Sequence, residues 1–504
     1  MSTRSKFNYN LIAFLMIVFI SFAYFGGYVH NTWQTDMYAQ SLYPWTSFKN
    51  MFWNGARFAQ IIYVKICFLF HHNPATAPGL HVSLALLINI IITYTAWDTL
   101  SKNLQLSLSE GYFGILLLFI IILTRINVFQ TDILQFGYSA TVTYLGDFFA
   151  LTAALLLYKN SSWKMVPLAG LLLIIASSFM QQTIFWFALW SVVFLAISYL
   201  NPQASFVHLI LDVLKRIVAY SCAGIWQLFC FGIMLNPHGG RGDLTQFDLK
   251  TQLFLIYDLL KQLFYDCMGI QPAYFYLTSL IITTILIAFA IKKISTTFTE
   301  ILKYATITFL LFNGCFLAIL IPCFFDSWLA HRTVSGFSAL LPFLIFILFL
   351  FLYRFNWSGK KVIYIFLGAE IILHLGVNWF SSSELYRQQV AINAIDSRDV
   401  LYYYTAIEDY EKETGHTITK LSWGSDSNPS NILPGTISPK SINDRVMETP
   451  WGRRDIIPFL FGRRFEIVDM PPEIWVQYFS NKDWNTVSEE QVVCIDDTAY
   501  IVWY

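Results

Sequence analysis

Runs of about twenty apolar residues recur along this chain, and they restrict the fold more than any other feature. A helix needs about 20 mostly apolar residues to cross the hydrocarbon of a bilayer. About eleven stretches approach that length, centred on 11–28, 79–97, 110–124, 138–157, 165–180, 184–200, 217–235, 273–291, 304–323, 334–353 and 361–380. The third and fifth are short. Only Gln181, Gln182 and Thr183 separate the fifth from the sixth, so a tight helical hairpin and a re-entrant pair both remain open. Composition agrees: of 504 residues, 56% are hydrophobic and 13% charged, against about 25% charged in soluble domains. The sequence predicts an α-helical multi-pass membrane protein with about 11 transmembrane helices. No small-residue cleavage site follows the first run, which reads as a retained span and not a removed signal peptide.

Basic residues in short loops set orientation. With the N-terminus inside, the inner segments carry Arg4, Lys6, Lys102, Lys159, Lys164, Lys215, Arg216, Lys292, Lys293, Lys303, Arg354, Lys360 and Lys361. The outer segments are longer and carry fewer: Lys49, Arg57, Lys65, Arg125, Arg241, Lys250, Lys261 and Arg332. This asymmetry predicts a cytoplasmic N-terminus, and an odd number of spans then puts the tail after residue 380 outside.

The chain divides into a transmembrane domain over 1–380, with a long first outer loop at 29–78, and a polar α+β domain over 381–504. In the first loop RFAQIIYVKICFLF is too short to span and reads as an interfacial helix. The loop from Asn236 to Pro272 opens with NPHGGRGD and continues as an amphipathic helix, LTQFDLKTQLFLIYDLLKQLF. SFVHLILDVLKRI reads as an inner surface helix leading into the next span. After Ser381, LYRQQVAINAIDSRDVLYYYTAIEDYEKETG reads as a helix. VVCIDDTAYIVWY reads as a terminal hairpin turning at Asp-Asp-Thr.

Lys+Arg and Asp+Glu are equal at 32 each, which gives no reason to expect a nucleic-acid partner. The seven cysteines lack CxxC or Cys/His spacing and suggest neither a disulfide framework nor a zinc site. His71-His72 has no third ligand nearby. The sequon matches at Asn160 and Asn356 fall on the inner side.

Carboxylates near a membrane are costly unless solvated or paired, which makes them functional candidates. Asp36, Asp132 and Asp326 fall in outer loops, and Asp147 lies in the fourth span. Arg57, Arg125, Arg241, His331 and Arg332 gather on the same outer side. This combination suits a reaction on a phosphorylated lipid: arginine holds phosphate by bidentate bonds, and a carboxylate removes a proton from an attacking hydroxyl. Each residue also has a plainer explanation. Asp36 and Asp132 fit helix caps, Asp147 fits a helix-packing pair, and His331 and Arg332 fit interfacial snorkelling. Arg241 fits a solvated loop, and Trp33, Trp45 and Trp53 fit the aromatic belt better than a sugar platform.

A first span followed by an acid at the start of a long outer loop resembles the plan of GT-C membrane glycosyltransferases. The finer pattern resembles the serotype-converting O-antigen glucosyltransferases of enteric bacteria and their phages. The matching residues are Thr35-Asp36-Met37 and Asn54-Gly55-Ala56-Arg57, where that family usually has paired acids and adjacent Gly-Arg. In NVFQTDILQFGYSATVTYLGD, Asn127, Asp132 and Asp147 fall on the places of the family's Asn and two acids. Gln181 matches a Tyr-Gln element whose Tyr is replaced here, and Arg332 matches a basic position.

The resemblance implies transfer of a hexose from a polyprenyl-phosphate donor, undecaprenyl-phosphate glucose, to lipid-linked O-antigen repeats in the periplasm. The location would be the bacterial inner membrane, with separate proteins making and flipping the donor. Asp36 would be the general base and Asp132 would orient the acceptor. Arg57 and Arg332, with His331 and Arg241, would hold the leaving phosphate. Asn127, Asp147 and Gln181 would support the acceptor or the fold. A monophosphate donor needs no metal or other cofactor. Competing classes are a transporter or lipid-linked sugar flippase, for which Asp147, Gln227 and Glu370 in spans speak, and an O-antigen polymerase or ligase using the same outer arginines.

Overall fold

The computed structural model describes the chain apart from residues 1–2, 31, 107, 109–110, 202, 231–248, 326–330, 357–358, 426–442, 444, 481, 483–488 and 504. Arg241, Asp326, the NPHGGRGD segment and the SDSNPSN turn cluster (but for Ser425) therefore lie outside the described residues.

Within the described residues, each apolar stretch falls on a helix. They are α1 (Thr3–Phe25), α5 (Pro78–Leu104), α6 (Tyr112–Arg125), α8 (Tyr138–Lys159), α9 (Val166–Phe179), α10 (Ile184–Tyr199), α11 (Phe206–Phe229), α13 (Phe275–Ile294), α14 (Phe298–Phe325), α16 (Leu340–Arg354) and the first part of α17 (Lys360–Thr414). Among the described residues, seven helical segments are long and apolar enough to cross a membrane, and three shorter apolar helices accompany them. The outer faces of the bundle carry exposed apolar side chains, such as Phe19 at 73% and Ile365 at 73%. Unpartnered apolar surface of this extent is what lipid covers. The chain is a membrane-embedded helical protein.

α16 is buried along its whole apolar length, from Leu340 to Leu352. A helix apolar on every side belongs in the middle of a bundle, and α6, α10, α13, α14 and α17 pack around it. α8 forms a second hub, touching α5, α9 and α10.

Helix ends sort into two groups. At one end Arg354 Nη1 donates to Leu200 O at 3.0 Å, Tyr353 Oη to Leu104 O at 3.1 Å, Lys303 Nζ to Ala204 O at 3.0 Å and Lys215 Nζ to Ser161 O at 2.6 Å. These bonds gather the turns next to Lys102, Lys159, Arg216 and Lys360, so most cations assigned to the inner side of the sequence share one end of the bundle. The opposite end carries the long connections. Its first loop carries three helices: α2 (Thr35–Ser41), α3 (Trp45–Asn54) and α4 (Phe58–Leu69). α4 is the expected short apolar helix, with Ile62 and Leu69 exposed. The other helices there are α7 (Gln130–Gln135), α12 (Leu249–Asp266) and α15 (Ser335–Ser338).

Two expectations merge into single elements. The surface helix at 205–217 and the described part of the seventh apolar stretch are one helix, α11. The eleventh stretch and the following polar helix are also one: α17 has 55 residues, about 80 Å at the helical rise. That is more than twice a bilayer's hydrocarbon thickness, and the part after residue 380 carries the C-terminal unit. This unit contains α18 (Pro450–Phe461), α19 (Pro472–Ile474) and a four-stranded sheet of order β2-β1-β4-β3. β1 (Lys420–Ser425) runs parallel to β2 (Glu466–Val468) and β4 (Thr498–Trp503). β3 (Val492–Ile495) pairs antiparallel with β4 as the expected terminal hairpin, with Cys494 opposite Ala499.

Candidate functional site

The loop-rich end brings two groups of nominated residues to one side of the bundle. α2 carries the first. Its start is fixed by Gln34, whose Oε1 accepts the Asp36 N–H at 2.8 Å. α17 holds the preceding strand of chain: Asn393 exchanges hydrogen bonds of 2.9 and 2.7 Å with the Trp33 backbone. α18 covers the other face, where the Phe459 ring lies 4.5 Å from Trp33 and 5.2 Å from Tyr38. Between these clamps Asp36 stays half-buried, and the Trp451 indole donates to its Oδ1 at 2.8 Å. Asp36 forms no ion pair among the described residues.

Arg57 sits at the N-terminus of α4, half-buried. Its Nε lies 3.4 Å from Gln181 Oε1, and Gln181 Nε2 donates to Gly55 O at 2.5 Å. The turn between α9 and α10 thus holds the α3–α4 turn in the middle of the first loop. Tyr138, buried at the start of α8, is within electrostatic reach of both Asp36 and Arg57, and its hydroxyl donates to Gln40 at 3.0 Å.

The second group centres on α7. Asp132 is fully buried and receives the Arg332 backbone N–H at 2.8 Å and Nη1 at 2.9 Å. The Arg332 guanidinium also stacks over Phe136, 4.2 Å from the ring centre. This geometry disfavours Asp132 as a carboxylate in direct contact with an acceptor and makes it the group that aims Arg332. His331 is fully buried with Nε2 3.2 Å from Met268 O and its ring against Phe129, which does not suit a phosphate contact through solvent. Asn127 turns the chain into α7, accepting the Phe129 N–H at 3.1 Å.

The two groups meet at Gly137. Its φ of +49° is a left-handed value that glycine tolerates, and a Cβ there would stand 3.0 Å from Pro78 and 3.2 Å from Met37. Met37 adjoins Asp36, and Gly137 follows Phe136, so this close approach seats α2 against the α7–α8 turn.

Asp147 is separate. It is buried inside the bundle, where Arg125 Nη2 donates to it at 2.7 Å and Arg125 Nε donates to Asn89 at 3.0 Å. The Arg125 guanidinium lies 4.2 Å over Trp186. This is a helix-packing pair, and the partner is a cation the sequence reading counted with the outer loops.

Sequence reasoning missed Trp451 and a buried cluster beneath α2. Arg445 donates to Asp396 at 2.8 Å and to Asp399 at 2.8 Å, and the Val446 N–H adds 2.8 Å to Asp396. Burial pushes the Asp396 carboxyl up to about 6, against the pull of Arg445. No periodicity links residues 49 apart, so only the fold reveals this anchor. Among the described residues no group of three or more His, Cys, Asp or Glu is placed to share a metal ion. A small cavity lined by Asn127, Gln271, Tyr276, Ser338, His374 and Asn378 lies beside the turn into α7. Asn378 Oδ1 accepts from Val128 N–H and from Gln271 there, so part of its polar lining is internally satisfied. No family model and no curated protein matches the chain.

Proposed function

We propose that the chain is a GT-C-type membrane glycosyltransferase of about eleven spans that transfers a hexose, glucose, from a polyprenyl-phosphate donor to O-antigen repeat units. In this reading the loop-rich end faces the periplasm, the basic end faces the cytoplasm and the membrane is the bacterial inner membrane. Asp36 takes the proton of the acceptor hydroxyl as that oxygen attacks the sugar's anomeric carbon, and the C–O bond to the lipid phosphate breaks. Arg57 and Arg332 stabilise the charge that grows on the departing phosphate.

The observation that carries this reading is the difference among the acids. Of the three nominated carboxylates within the described residues, Asp132 and Asp147 are closed by arginines, while Asp36 is half-exposed, held through one oxygen and not ion-paired. A general base needs that condition. The transporter reading rests on charged and polar groups in spans, but Asp147 is locked to Arg125, and Glu370 lies 3.1 Å from His374 on its own helix. Static pairs of this kind favour packing over an ion path.

The test is O-antigen composition and linkage in cells carrying Asp36→Asn. Loss of glucosylation with normal membrane levels is expected, and full glucosylation sinks the assignment. A reporter fused after residue 400 should lie outside the cytoplasm.

A further inference from the structure

We propose that Trp451 is a positioning residue for Asp36, so that the C-terminal unit supplies part of the reacting centre and is not an accessory to it. This rests on the reading of Asp36 as the general base.

A carboxylate works as a base only when one lone pair points at the proton it takes. The Asp36 backbone is set by α2, but its carboxyl plane is free to turn about the last side-chain bond, whose torsional well is broad. The contact that stops this rotation is the Trp451 Nε1–H···Oδ1 hydrogen bond of 2.8 Å. Oδ2 makes no hydrogen bond among the described residues and is left for substrate.

The helix that carries Trp451 is held from several directions. α18 docks on α2 through Phe459, which fits against Trp33 and Tyr38, three residues before and two after Asp36. Its first turn folds back on a short 3-10 turn, Val446–Glu448. Gly452 permits this: a Cβ there would stand 2.7 Å from Val446 O. That turn follows Arg445, which is locked to Asp396 and Asp399 of α17. Trp451 is nevertheless 47% exposed. A tryptophan whose task is packing is usually well buried, so a half-exposed ring with its N–H spent on a carboxylate points to orientation.

The test uses the full-length protein in lipid nanodiscs, with undecaprenyl-phosphate glucose as donor and a lipid-linked O-antigen repeat as acceptor. Trp451→Phe keeps an aromatic ring and deletes the N–H. kcat per folded molecule should fall about tenfold or more, as expected for one lost hydrogen bond to a charged group, with both KM values within about twofold. Trp451→Leu keeps an apolar side chain with no donor at this exposed position and should show the same split. Wild-type kcat in either variant overturns the proposal, as does a loss confined to the yield of folded protein. Asp36→Asn separates the two levels. If it is inactive while the Trp451 variants are normal, only the positioning role falls. If it is active, the general-base reading falls and takes the positioning role with it.

Discussion

Asp132 grips Arg332 at two points, its backbone N–H at 2.8 Å and its Nη1 at 2.9 Å, across 200 residues of sequence. The carboxylate is fully buried and the guanidinium remains partly exposed. The pair therefore presents a cation to the loop-rich end while hiding the anion that aims it. Breaking a buried pair from one side costs about 3–5 kcal/mol, so Asp132→Ala should lower thermal stability by about 3 kcal/mol, the low end of that range. Transfer activity in the double variant with Arg332→Ala should be no worse than in the more damaged single variant, because the residues act as a unit. Additive losses in a double-mutant cycle would mean that Asp132 has a separate role.

Arg125 and Asp147 are expected to matter for folding and not for chemistry. Asp147→Ala leaves a buried guanidinium without its counter-ion and should cost about 3–5 kcal/mol. The apolar pair Arg125→Met with Asp147→Leu should recover most of that loss and retain transfer. Melting curves of the detergent-solubilised variants, each paired with an activity assay, check both points. An inactive but stable double variant would give the pair a part in the reaction.

Arg57 is tied to the turn between α9 and α10 through Gln181. Arg57→Lys keeps the charge but loses the planar fork that suits phosphate. The expected result is a donor KM raised about tenfold, in line with one charge-assisted hydrogen bond, and little change in acceptor KM. Gln181→Ala should give a weaker version of the same effect by loosening Arg57. Steady-state kinetics with donor and acceptor varied separately read this out.

The C-terminal unit should loosen in acid. Glu411 accepts two bonds from Arg463 and the Ile418 N–H at 2.6 Å, and the Arg463 bonds hold its carboxyl below the usual glutamate value. A depressed folded-state pKa means that the unfolded chain binds the proton more readily. This stability is present above the ordinary glutamate range and is lost as pH falls through the folded value. Resistance of the unit to protease should therefore drop below about pH 4.3. Glu411→Gln should flatten that dependence and lower stability at neutral pH by about 1 kcal/mol. An unchanged acid slope in the variant would assign it to other carboxylates.

Legibility in the sequence followed the range of the interaction. The apolar stretches, the amphipathic helices α4 and α12 and the β3–β4 hairpin all appeared, because each is a pattern within twenty residues or so. The joining of the eleventh stretch and the polar helix into α17 was missed because composition changes at residue 381 while helix propensity does not. The candidate acids were found as isolated residues, since an aspartate beside a membrane stands out by its cost. Their conditions were not found, since Asp132 and Asp36 look alike until Arg332 and Trp451 are placed.

By itself the sequence determined that the chain is a helical membrane protein with most cations at one end of the bundle and long connections at the other. Hydrophobic length and loop charge are local quantities that need no partner. Only the tertiary structure decided which carboxylate is left accessible. Arg332 lies 200 residues from Asp132 and Trp451 lies 415 from Asp36, and whether a buried acid is neutralised by an arginine or oriented by an indole depends on distances of about 3 Å that no spacing in the chain encodes.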